Sequence, residues 1–144
     1  MYTVREVLQS KDSKLWTIEP SASVFEALQI MAENNIGSLL VMENEILQGI
    51  FSERDYARDV VLKGKSSKET PVSELLPNEL MYVTPDDKLK ECMALMTTKR
   101  VRHLPVYQDG LLMGIVSIGD LVKQIISDQE FTIRELEKYI TGSY

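Results

Sequence analysis

Between Val24 and Ala32 the apolar residues fall on one side of a helix. Val24, Ala27, Leu28, Met31 and Ala32 are spaced i, i+3, i+4, i+7 and i+8, which predicts an amphipathic helix. Leu89, Cys92, Met93 and Met96 keep the same spacing later in the chain. Each helix is preceded by a short extended piece that closes on a proline, Pro20 or Pro85. The residue before a proline is biased away from helix. Each is followed by an apolar run of strand length, "IGSLLVM" (36–42) or "VRHLPVY" (101–107). The polar turns "ENE" and "QDG" lead into "ILQGIF" and "LLMGIV", so each run opens a hairpin. A second helix starts at Ser52 and again at Ser117. The predicted order is β-α-β-β-α, twice.

The two halves are copies. Shifted by 65 positions, Thr17 to Arg58 lies over Tyr82 to Lys123 without a gap. Pro20 meets Pro85, Met31 meets Met96 and Val41 meets Val106. "GIFSERD" meets "GIVSIGD", so both read G-I-x-S-x-x-D. Short leaders correspond as well, "VREVL" (4–8) with "VSELL" (72–76). An internal repeat decides the architecture before any single residue does. The expected division is residues 1–64, a first unit; 65–126, a second unit; and 127–144, an amphipathic helix carrying Ile133, Leu136 and Ile140. The polar "KGKSSKET" (63–70) reads as a solvated linker. One unit alone is too small to bury much core. The expected fold is therefore α/β (α+β), with two units packed around a pseudo-two-fold axis.

Composition narrows the function. The 144 residues are 44% hydrophobic and 26% charged, a globular balance. No apolar run approaches the ~18 residues of a membrane span, and "MYTVREVLQSKDSK" lacks a signal-peptide core. A cytoplasmic location without membrane contact is expected. One cysteine, Cys92, excludes an internal disulfide; it and the helical methionines read as core. The net charge of −6 argues against binding along a nucleic-acid backbone, which needs a basic face.

The repeated S-x-x-D has two readings. As a capping box, Ser is the N-cap and Asp the acid at the third helical position. As a site, the small glycine lets a ligand approach the backbone, and the carboxylate accepts hydrogen bonds from ribose hydroxyls, as the acid of the dinucleotide fold does. Phosphates would then need cations. Lys99, Arg100, Arg102 and His103 supply them in the second unit. The first has the uncharged Gly37 and Ser38 at the positions matching Arg102 and His103, and carries Arg54 and Arg58 instead. A lone histidine does not make a zinc site. A triad of Ser117, His103 and Asp120 fails because Gly114 stands one place too early for a nucleophile elbow. No P-loop or G-x-G-x-x-G is present. The chain offers no catalytic or metal-ligating set.

A duplicated unit of this plan, with "TIEP" and "YVTP" lead-ins, the "RHLPV" strand and G-h-x-S-x-x-D before its last helix, resembles a tandem pair of cystathionine-β-synthase (CBS) domains, of the stand-alone bacterial or organellar kind. The resemblance spans nearly the whole chain. It implies two clefts that bind adenine nucleotides (AMP, ADP, ATP or NAD(H)), no required cofactor, no enzymatic activity, a homodimer, and regulation of another protein. Carried over residue by residue, one cleft would use Ile18, Gly37, Ser38, Ser52 and Asp55. The other would use Val83, Arg102, His103, Pro105, Ser117 and Asp120, with Arg54 reaching a phosphate across the axis. The second is expected to hold the better-bound nucleotide. The competing reading is a structural or interaction module with vacant clefts, in which S-x-x-D serves only as a cap.

Overall fold

In the computed structural model, which describes residues 2–11, 14–77 and 79–141, the hairpins form with matching registers. Strand β2 (Ser38–Glu43) pairs antiparallel with β3 (Ile46–Ser52), placing Ser38 opposite Ser52. Strand β4 (His103–Gln108) pairs with β5 (Leu111–Ser117), placing His103 opposite Ser117. Both ladders slip at the same place, Val41/Met42 and Val106/Tyr107. Both turns put two residues at positive φ, Asn44–Glu45 and Asp109–Gly110, as two-residue hairpin loops do to match strand twist.

The lead-ins differ in extent. In the first unit β1 (Thr17–Ile18) lies parallel to β2 and makes a three-stranded sheet. In the second the lead-in narrows to one bridge, Val83 to Val106. Helices α2 (Val24–Asn34) and α4 (Leu89–Lys99) bury the predicted faces: Val24, Ala27 and Met31 in one, Leu89, Cys92 and Met96 in the other. Burial pushes the Cys92 thiol up to about 11, so it is a core residue and no nucleophile.

The two cores exchange their leaders. Helix α1 (Val4–Gln9) does not pack on the unit it precedes. Val4 and Val7 are buried in the second core, beside Leu89, Met96 and Leu121. The Val4 and Arg5 amides donate to the carbonyls of Asp87 and Pro85. Reciprocally, the 3-10 turn Val72–Leu75 buries Val72 in the first core, and its amides reach Ala22 and Pro20. The division at 64/65 therefore does not separate two cores.

This exchange explains the motif glycines, which the sequence reading gave to a ligand. A Cβ on Gly114 would stand 2.8 Å from Leu8 Cδ2, and one on Gly49 would stand 3.2 Å from Leu76 Cδ2. The leader leucines lie over the glycines, and a side chain there would push them off.

Two further expectations are corrected. The C-terminal helix is not a separate element from residue 127, because α5 runs unbroken through Ile118–Thr141; residues 142–144 of the expected segment lie outside the described residues. The segment 63–70 is not wholly solvated. Thr70 is buried, its hydroxyl donates to the Ser66 carbonyl, and the Val24 and Phe25 amides donate to the carbonyls of Thr70 and Ser67. In the first unit the helix after the hairpin is short. Helix α3 (Glu53–Tyr56) passes into a π-helical turn, Ala57–Val61.

Candidate functional site

Both S-x-x-D motifs are real caps. The Ser52 amide and hydroxyl each donate to Asp55 Oδ2 at 3.0 Å, and the Asp55 amide donates to Ser52 Oγ at 3.3 Å. The Ser117 amide donates to Asp120 Oδ2 at 2.9 Å, and the Asp120 amide donates back to Ser117 Oγ at 3.1 Å. The next amide in each helix start is tied to its own hairpin: Glu53 to the Gly37 carbonyl, Ile118 to the Arg102 carbonyl. Capping therefore fixes each carboxylate beside the first residues of a strand.

The units meet where β3 approaches β4, and two clefts open there. The larger, of about 730 Å³, joins Ser52, Arg54 and Asp55 of the first unit to Met81, Val101, Arg102, His103 and Pro105 of the second. Arg58, Lys99 and Arg100 also line it, against the acids Glu53, Asp59 and Glu79. The smaller, of about 480 Å³, joins Trp16, Ile36 and Ser38 of the first unit to Ile115 and Ser117 of the second, with Lys11 and Lys14 at its wall. Gly37 and His103 border both.

The larger cleft holds Arg54 and Asp55 with Arg102 and His103, and the smaller holds Ser38 with Ser117, so each draws on both units. Asp55 faces the strand that begins at His103, and Ser117 faces the strand that begins at Ser38. Ile18, Val83 and Asp120 line neither cleft; the first two are buried in the cores of their own units, and Asp120 is reached from the smaller cleft only through Lys11.

Lys11 escaped the sequence reading. Its Nζ donates to Asp120 Oδ2 at 2.7 Å and to the Ile115 carbonyl at 2.9 Å. A signal for it existed in the leaders. With Leu8 set against Leu76, Lys11 falls against Glu79. One leader brings a cation to its carboxylate and the other brings an acid to the opposite cleft.

The CBS domain matches this chain twice, over residues 4–61 and 72–127. The chain belongs to the CBS-domain family. The CBS domain-containing protein CBSX3, mitochondrial, from Arabidopsis thaliana is 38% identical over 152 residues, spanning 99% of this chain and 73% of that one. A solved CBS-domain structure from Burkholderia ambifaria superposes with a TM-score of 0.83 at 47% identity, covering 88% and 96% of the two chains. CBSX2 in complex with AMP superposes with a TM-score of 0.73 at 25% identity, covering 90% and 99%. In this CBS pair no described helix is long and apolar enough to cross a membrane.

Charge separates the two clefts of the CBS pair. Burial raises the Asp55 carboxyl above its ordinary value, against the opposing Ser52 hydrogen bonds. Burial would raise Asp120 as well, but the Lys11 and Ser117 hydrogen bonds and the Lys11 charge outweigh it and hold the group low. The Arg54 guanidinium is pulled down by Arg58 first, then by its surroundings, with Arg102 and Arg100 adding to the crowding. A group of cations this mutually repelled favours an anion between them. Burial, then the Lys11 charge, lowers His103, which is neutral at pH 7. The capping bonds on Asp55 are both made to Oδ2. Among the described residues no group of three or more metal-ligating side chains converges.

Proposed function

We propose that this CBS pair is a regulatory, non-catalytic module that binds an adenine nucleotide (AMP, ADP, ATP or NAD(H)) in the larger cleft. It would act in the cytoplasm as an energy or redox sensor for a partner protein. The observation that carries this reading is the meeting, across the repeat, of the Asp55 carboxylate with the Arg102 strand and the crowded Arg54 and Arg58. On this reading Asp55 accepts from the ribose hydroxyls. Arg102, Arg54 and Arg58 pair with phosphate, Arg102 by a two-pronged contact. Val101, Met81 and Pro105 offer apolar walls to the base. The AMP complex of the similar CBSX2 supports an adenine ligand. Binding changes partner affinity only to the extent that the nucleotide prefers one shape of the module.

A second reading applies to the smaller cleft. Lys11, in its wall, already pairs with Asp120, which favours a vacant cleft whose S-x-x-D acts as a cap.

Titration calorimetry with AMP, ADP, ATP and NADH tests both. Asp55→Ala and Arg102→Ala are each expected to weaken binding about tenfold or more, and Asp120→Ala to leave it nearly intact. Affinity should fall with added salt, since part of it is ion pairing. Absence of binding at millimolar ligand, or full affinity in Asp55→Ala, would rule the proposal out.

A further inference from the structure

Lys11 stands between the smaller cleft and the carboxylate of the second S-x-x-D. Lys11, Ile115 and Ser117 line that cleft, and Asp120 does not. The lysine is held at both ends. On the backbone side, Val4 and Val7 are buried in the second core and Leu8 lies over Gly114, so the leader is tied to β5. At the tip, the ammonium donates to the Ile115 carbonyl and to Asp120 Oδ2. The same oxygen accepts from the Ser117 amide. A carboxylate oxygen has two lone pairs, so these two donors fill it. A ligand hydroxyl reaches that oxygen only by replacing the ammonium. In the first unit the capping oxygen of Asp55 accepts from Ser52, and the leader residue matching Lys11 is Glu79. Beyond Lys11 the smaller cleft has the makings of a nucleoside site. Trp16 and Ile36 give it apolar walls, Ser38 and Ser117 give hydroxyls, and Lys14 Nζ lies 4.6 Å from the Trp16 ring centre.

We propose that Lys11 is an autoinhibitory latch: its ammonium takes the place of a ribonucleoside's hydroxyl donors at Asp120 and keeps the smaller cleft shut. The proposal rests on the reading of the matched Asp55 as a ribose acceptor. An ammonium and a pair of ribose hydroxyls offer a carboxylate the same thing, polar hydrogens. The ammonium also offers a charge, and a charge-assisted hydrogen bond is about twice as strong as a neutral one. The closed arrangement therefore prevails while the lysine is present. It is a reversible closure. The side chain is a flexible four-carbon stem, and the Lys11 and Asp120 side chains keep 29% and 26% of their exposure, so the tip can swing into solvent. A ligand that needs the open form binds with an affinity reduced by the fraction of molecules that are open. The two clefts thus differ in kind. The larger is open at rest, and the smaller accepts a nucleoside only after Lys11 has left Asp120.

Amide NMR of the full chain titrated with adenosine tests the latch, because adenosine has the ribose hydroxyls and no phosphate. Asp55→Ala serves as the background, so that the larger cleft does not mask the smaller. Adding Lys11→Met is expected to tighten adenosine about tenfold or more, with shifts at the Ser38 and Ser117 amides and the thermal transition retained. Lys11→Ser, which also lacks the cation, should gain alike. The gain should be absent for dideoxyadenosine, which lacks both hydroxyls, and should vanish when Asp120→Ala is added. No gain in the neutral variants, an equal gain for dideoxyadenosine, or a gain that survives Asp120→Ala would overturn the latch. The role of the larger cleft is judged separately, by the AMP affinity of Asp55→Ala alone.

Discussion

Lys11 holds its ammonium 2.7 Å from Asp120 Oδ2, while the corresponding leader residue, Glu79, brings a carboxylate to the cleft of Asp55. The two halves of a repeat thus present their shared aspartate in opposite electrostatic settings. Lys11→Met removes a cation that depresses His103 and leaves the Asp120 charge that raises it. The His103 pKa should therefore move upward. His103 is the only histidine in the sequence, so its ring signals in an NMR titration read this directly. An unmoved midpoint would show that Lys11 does not occupy the cleft in solution.

The two aspartates should respond oppositely to neutralisation. The folded-state value of Asp120 lies below its unfolded value of about 3.9. Its contribution is complete above about pH 4 and is lost as pH falls through the folded value. Asp120→Asn should cost about 1 kcal/mol at pH 7 and progressively less in acid. Asp55 has the reverse sign. Its folded value is raised, so stability falls as pH rises from about 4 through that value. Asp55→Asn keeps an acceptor for Ser52 and removes the buried charge. It should be at least as stable as the wild type at pH 7 while losing the proposed ligand. Urea unfolding of both variants across pH 3–7 separates the two signs.

Gly114→Ala should cost about 1–3 kcal/mol, because the new methyl meets Leu8 Cδ2 at 2.8 Å. Gly49→Ala meets Leu76 less closely, at 3.2 Å, but places a side chain at φ 159°, so it should cost at least as much. Pairing Gly114→Ala with Leu8→Ala should recover part of the loss. A double-mutant cycle with no coupling would detach the glycine from the exchanged leader.

Arg100 ends α4 in the left-handed region at φ 55°, where the matching residue of the first unit is Asn35 at φ 54°. Asparagine takes that conformation readily and arginine does not. Arg100→Asn should therefore stabilise the fold by about 0.5–1 kcal/mol. Since Arg100 lines the larger cleft, the same change should weaken nucleotide binding and flatten its salt dependence. Thermal unfolding and calorimetry on one variant measure both effects.

Much of the fold was legible because it is local. Helical spacing at Val24–Met31 and Leu89–Met96, the strand-length runs and the turn residues each carry their own physics. The 65-residue shift then sets the hairpin and the helix before it in each unit against their copies. What lay outside that reading is relational. Identical motifs do not say which strand each aspartate faces, and the larger cleft joins Asp55 to Arg102 rather than to Ser38. Val4 and Val7 are apolar in either core, and only assembly shows that they serve the second. The exception was Lys11, whose opposition to Glu79 could be read once the leaders were aligned on Leu8 and Leu76.

The exchanged leaders also bear on how the chain comes apart. A protease that nicks the lysine-rich stretch between Lys63 and Lys68 leaves each fragment holding the segment that seals the other's interior. The cut pieces would stay together as a complementing pair. A single half made alone would lack the segment that seals its core, and a twin of the same half would lack it too.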